Sequence, residues 1–73
     1  MSLLLPKWNG DMIGAMHRIG ITEDAVAGAM GVTRAYLSRQ LNSPKVSSDT
    51  KAKIEDAIAY EAMKRGFSRK DVL

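Results

Sequence analysis

The side chains able to do chemistry in this chain are few, and their spacing first narrows what the chemistry can be. There is one histidine, His17, and no cysteine. One imidazole without thiolates does not assemble a metal site, and disulfide staples are excluded. Glu23 and Asp24 are adjacent, so on a helix they point to different sides and make no acid–base pair. Nothing marks Ser38, His17 and Asp11 as a triad, and there is no glycine-rich phosphate loop. We therefore expect no catalysis, no metal and no cofactor. That leaves the cations. Eleven Lys and Arg stand against eight Asp and Glu, a net charge of +3. Such a balance permits contact with a polyanion without demanding it, so the clustering decides. Arg34 and Arg39 share one short polar segment with Thr33, Ser38 and Asn42. Each guanidinium is a planar fork of donors, suited to paired acceptors.

The elements that would carry these residues are helices. The chain is rich in Ala, Met, Leu and Ile and poor in aromatics, which suits helices better than sheets. At 73 residues it reads as one domain, 1–73. Trp8, Met12, Met16 and Ile19 recur on one face of a first helix that starts with Pro6 in its first turn and runs to about Arg18. Gly10 and Gly14 within it either admit a close neighbour or are simply tolerated, and Gly20 ends it. Thr22 caps a second helix with Glu23 and Asp24 in its first turn and Val26, Ala27 and Met30 on its apolar face, and Gly31 stops it. Thr33 caps a third helix whose Leu37 and Leu41 face inward, and Pro44 disfavours its continuation. Val46 anchors the loop. Ser47 or Ser48 caps a long fourth helix from about Asp49 to Arg65, with Ile54, Ala57, Ile58 and Ala62 inside. Phe67, Ser68 and Asp71 read as the staple and capping box of a short fifth helix with little chain left to it. The expected fold class is all-α, a bundle of four to five short helices.

The informative stretch is the string Ala27-Gly28-Ala29-Met30-Gly31-Val32-Thr33 followed by Tyr36-Leu37-Ser38-Arg39-Gln40-Leu41-Asn42. Ala27 and Gly31 are small enough for two helices to cross closely, and Gly31 permits a left-handed turn. Val26, Met30, Val32 and Leu37 wedge the pair together. This resembles the lambda-repressor-like helix-turn-helix family, small Cro-type phage or prophage regulators, over about Met12 to Met63, with the motif itself at 22–42. Two residues depart from the pattern. Gln40 stands where many relatives have an apolar residue, and Leu41 takes over its packing. Glu23 stands where many carry a glutamine that braces the recognition helix and a phosphate.

The resemblance implies sequence-specific binding of double-stranded DNA by a transcriptional repressor or regulator, with a recognition helix at about 33–42 in the major groove. Arg34 and Arg39 would each bond guanine O6 and N7, and Ala35 is small enough to meet a thymine methyl. Thr33, Ser38 and Asn42 reach bases or phosphates. Thr22, Tyr36 and Lys45 are expected at the backbone, with Lys51 and Lys53 as further phosphate contacts. Read alone, each of these would be an ordinary surface residue, and Tyr36 equally a packing residue. Arg39 is the stronger base reader than Asn42.

Ala52, Ala59 and Met63, with Tyr60 beside them, form an apolar patch opposite the Ile54 stripe, covered by the first helix, by the C-terminal tail or by a second copy in a homodimer. The rival function is a protein-interaction module on the same fold, binding a toxin or another regulator. The acid at Glu23 favours it, and the paired arginines favour DNA. No apolar run approaches the roughly 20 residues that span a bilayer. Residues 1–5 are too short for a signal peptide. With no cysteine, these features lead us to expect a cytoplasmic location.

Overall fold

Caps and stop residues divide the chain into α1 (Lys7–Ile19), α2 (Glu23–Met30), α3 (Arg34–Leu41), α4 (Ser48–Lys64) and α5 (Arg69–Val72) in the computed structural model, which describes residues 6–73. The reading of residues 1–5 as too short for a signal peptide lies outside the described residues. Among the described residues every regular element is a helix, and none is long and apolar enough to cross a membrane. The protein is all-α.

The boundaries have local causes. Pro6 precedes α1 rather than entering it, because its ψ of 155° is extended, although its carbonyl accepts from the Asn9 amide at 3.1 Å. The Thr22, Thr33 and Ser47 hydroxyl oxygens accept from the amides of Ala25, Tyr36 and Thr50, which satisfies one orphan donor at each helix start. Ser47, not Ser48, is thus the cap of α4. Gly31 ends α2 at φ 72°, and the next amide, of Val32, donates back to Ala27 O at 3.0 Å. A Cβ at Gly31 would meet nothing within 4 Å. The glycine is needed for its left-handed backbone, not for helix–helix clearance.

Gly10 and Gly14 admit no close neighbour either. A Cβ at Gly10 would lie in open space, and one at Gly14 would touch only the Arg18 side chain at 3.5 Å. Of the two readings of these glycines, tolerance holds.

One core joins the helices. Met12, Ala15 and Met16 of α1, Val26 and Ala27 of α2, Leu37 and Leu41 of α3, and Ile54, Ala57, Ile58 and Ala62 of α4 are all buried. Trp8 is half-buried at its edge, donating from Nε1 to Glu55 Oε2 at 2.8 Å and lying 5.5 Å from Lys51 Nζ. The single turn of α5 is capped by Asp71, which accepts from the Ser68 amide and hydroxyl. It is seated by buried Val72 and tied to α4 by an ion pair of Arg69 with Asp56 at 3.0 Å.

The supposed outward patch of α4 is smaller than its sequence suggests. Ala59 is buried, at 2% exposure, and only Ala52, Tyr60 and Met63 face outward. In its place the Ile54 stripe carries a charge the periodicity hid. Glu61 is buried, its carboxylate bonded to Arg65 Nη1 at 3.0 Å and Lys64 Nζ at 3.2 Å. The Arg65 guanidinium, more than any other neighbour, holds its carboxyl below the usual glutamate range.

Candidate nucleic-acid interface

The frame of the site is α2, the turn of Gly31, Val32 and Thr33, and α3. Capping fixes where α3 begins, and Leu37 and Leu41, both 0% exposed, fix how it is rotated. Gln40 is half-buried beside them. The rotation is thus defined by the two buried leucines, with Gln40 at the edge of the packing.

With that rotation, Thr33, Arg34, Ala35, Arg39 and Asn42 are exposed, while Tyr36 and Ser38 are half-buried. Thr22 and Lys45 are exposed on the segments before and after. The residues expected at one surface are thus mostly accessible, but they are not equally available.

Arg34 stands near both acids of the first turn of α2. Its Nε is 3.7 Å from Glu23 Oε1 and its Nη1 is 4.0 Å from Asp24 Oδ2. These are long contacts, and two-thirds of the Arg34 side chain is exposed. An exposed pair of this kind is worth at most about 1 kcal/mol, so the guanidinium can be drawn away at low cost. Arg39 has no carboxylate within ion-pair distance among the described residues. Asn42 is committed to its own helix end, with Nδ2 donating to Ser38 O at 2.9 Å. Its second Nδ2–H and its carbonyl oxygen remain to donate to and accept from a partner.

The flanking groups divide. Lys45 is held by a small loop in which its amide donates to Ser43 Oγ and Ser43 Oγ–H donates to its carbonyl, both at 3.2 Å. Lys51 lies against Trp8 on the α1 side of α4. Lys53 lies on another flank, where it lines a cleft of about 570 Å³ with Met30, Val32, Tyr36, Asp56 and Tyr60. Tyr36 lines that cleft and is half-buried, so the structure gives it a packing environment.

Sequence reasoning missed Asn9. It is the most buried polar residue of α1, at 1% exposure. Its Nδ2 donates to Leu41 O at 2.9 Å and Ser43 O at 2.8 Å, with a weaker approach to Gln40 O at 3.5 Å. One signal was available: Asn9, Met12 and Met16 share a helical face, so a polar residue sits inside an apolar stripe. Glu61, between Ile58 and Ala62, carried the same signal.

No protein-family model, curated protein or solved structure matches this chain.

Proposed function

We propose that this chain binds double-stranded DNA sequence-specifically, as a small repressor or regulator of the lambda-repressor-like helix-turn-helix type. In this reading α3 enters the major groove with its N-terminal end leading. The observation that carries it is the exposed run of Thr33, Arg34, Ala35 and Arg39 on a short helix whose start is capped and whose opposite side is sealed by Leu37 and Leu41. Arg39 and Arg34 read guanine edges, and Ala35 contacts a thymine methyl. Thr33, Ser38 and Asn42 supply hydrogen bonds to bases or phosphates. Thr22, Tyr36 and Lys45 hold the backbone on either side. The excess of +3 steers the encounter. Selection of bound sequences from a random duplex library tests the reading, which requires an enriched motif. Recovery of unenriched sequence contradicts it.

A second reading has its own support. The cleft beside Tyr36 is lined by Met30, Val32, Ala57 and Tyr60 together with Thr50, Lys53 and Asp56, a mixed apolar and polar surface that could receive a protein segment. Glu23 and Asp24 also draw Arg34 toward the protein. On this reading the chain is an interaction module without specific DNA binding. Binding that is insensitive to salt favours it over the first. A homodimer remains part of the DNA reading, because paired half-sites call for two-fold symmetry.

A further inference from the structure

We infer that Asn9 of α1 is a positioning residue for the proposed DNA-reading surface, clamping the end of α3 and the start of the following loop so that Arg39, Asn42 and Lys45 are held in one register. The inference rests on the DNA reading for its function, but its structural half stands alone.

The C-terminal end of α3 lacks partners of its own. Its last carbonyls have no amides ahead of them within the helix. Asn42 turns back to cover Ser38 O, and the Ser43 amide covers Gln40 O at 3.2 Å. Nothing in the helix itself reaches Leu41 O, and Pro44, lacking an N–H, cannot contribute. Asn9 Nδ2 supplies that bond and a second one to Ser43 O, across 32 and 34 residues of sequence. One amide group thus bridges the last turn of α3 to the first loop residues after it.

Its placement makes the bridge rigid. At 1% exposure Asn9 is shielded from water, so its bonds face little competition. It stands on the same helix as Met12 and Met16, which are anchored in the core. The donor group is therefore fixed by packing, and the Leu41 and Ser43 carbonyls are fixed to it. Arg39 lies one residue before Gln40, and Lys45 lies two after Ser43. A loose end to α3 would displace both relative to Thr33 and Arg34, which are held from the other end by the Thr33 cap. Base readout tolerates little displacement, whereas attraction to phosphates tolerates more.

The test compares Asn9→Ala with Ala59→Gly. Ala59 is buried on α4 but lies outside the cluster that contains Leu37 and Leu41, so its variant controls for general loss of stability. Two readouts are taken on folded protein: amide hydrogen exchange across residues 40–46, and the ratio of affinities for a selected site and a random duplex at one salt concentration. Asn9→Ala should speed exchange in that segment about tenfold beyond the control. It should lower the specificity ratio about tenfold while changing random-duplex affinity less than about twofold. Ala59→Gly should leave the specificity ratio unchanged and speed exchange only as far as its general loss of stability does. Exchange no faster than in the control, or an intact ratio, overturns the inference. If Asn9→Ala does not fold, Asn9→Ser takes its place with the same readouts. If the native chain binds no duplex, the DNA reading falls, and exchange alone decides whether Asn9 holds the segment.

Discussion

Arg34 and Arg39 differ in what surrounds them, and the difference predicts different behaviour. Arg39 has no acid partner among the described residues, so its loss should be felt in recognition and not in folding. Arg39→Ala is expected to cost about 1–3 kcal/mol on the selected site while random-duplex binding largely survives. Equal loss on every sequence would assign it to a phosphate instead. Arg34 shares its surroundings with Glu23 and Asp24. Glu23→Gln should therefore raise duplex affinity by about two- to fivefold at low salt, by removing a negative charge near the phosphates and freeing Arg34. An unchanged or reduced affinity in a titration would mean that Glu23 orients Arg34 instead of restraining it. The residue types at this surface were legible in the sequence, because helical spacing from Leu37 fixes which side chains point away. The acid contacts of Arg34 were not. They depend on how α2 sits against α3, which no local spacing encodes.

At the scale of the element, the caps were the most legible feature. Thr22, Thr33, Gly20 and Gly31 act locally, so their types alone set where helices start and stop. What spacing could not say is whether a glycine serves a neighbour. Gly28 lies inside α2, with open space where a Cβ would be. Gly28→Ala should therefore stabilise the fold by about 0.5–1 kcal/mol. Gly31→Ala should destabilise it by about 1 kcal/mol or more, because φ 72° penalises a Cβ however much room it has. Denaturant titration of the two variants distinguishes the cases, and equal effects of one sign would refute this account of the turn. Asn9 and Glu61 show why polar residues in apolar stripes escaped notice. Their partners lie on another helix for Asn9 and one turn ahead for Glu61, and burial is set by the whole fold.

The whole molecule has a radius of gyration of 11.6 Å, near the roughly 11 Å expected of one packed unit this long. Its pH dependence follows from Glu61. The folded carboxyl is held low, chiefly by Arg65, so its contribution is present above the unfolded pKa and is lost as pH falls through the lowered folded value. Asp71, bonded by Ser68, shifts in the same direction. Stability should thus decline on acidification below the usual glutamate range, and Glu61→Gln should flatten that decline in denaturant titrations. A decline of unaltered steepness would remove Glu61 from the explanation. Association is the other whole-molecule property. Tyr60 and Met63 are each more than half exposed, although buried Ala59 reduces the patch they belong to. If the chain binds paired half-sites, sedimentation should detect a two-fold dimer on DNA, and a monomer at high concentration both free and bound would rule the dimer out.

A polyanionic duplex as partner is tested most directly by the salt dependence of binding. Fluorescence anisotropy on a labelled duplex at 50 and 200 mM salt measures it. With about two cationic phosphate contacts per bound copy, Lys45 among them, affinity should fall by roughly tenfold between the two conditions. Affinity that does not change with salt, or no binding at either concentration, would contradict the DNA reading and leave the cleft beside Tyr36 as the surface to pursue.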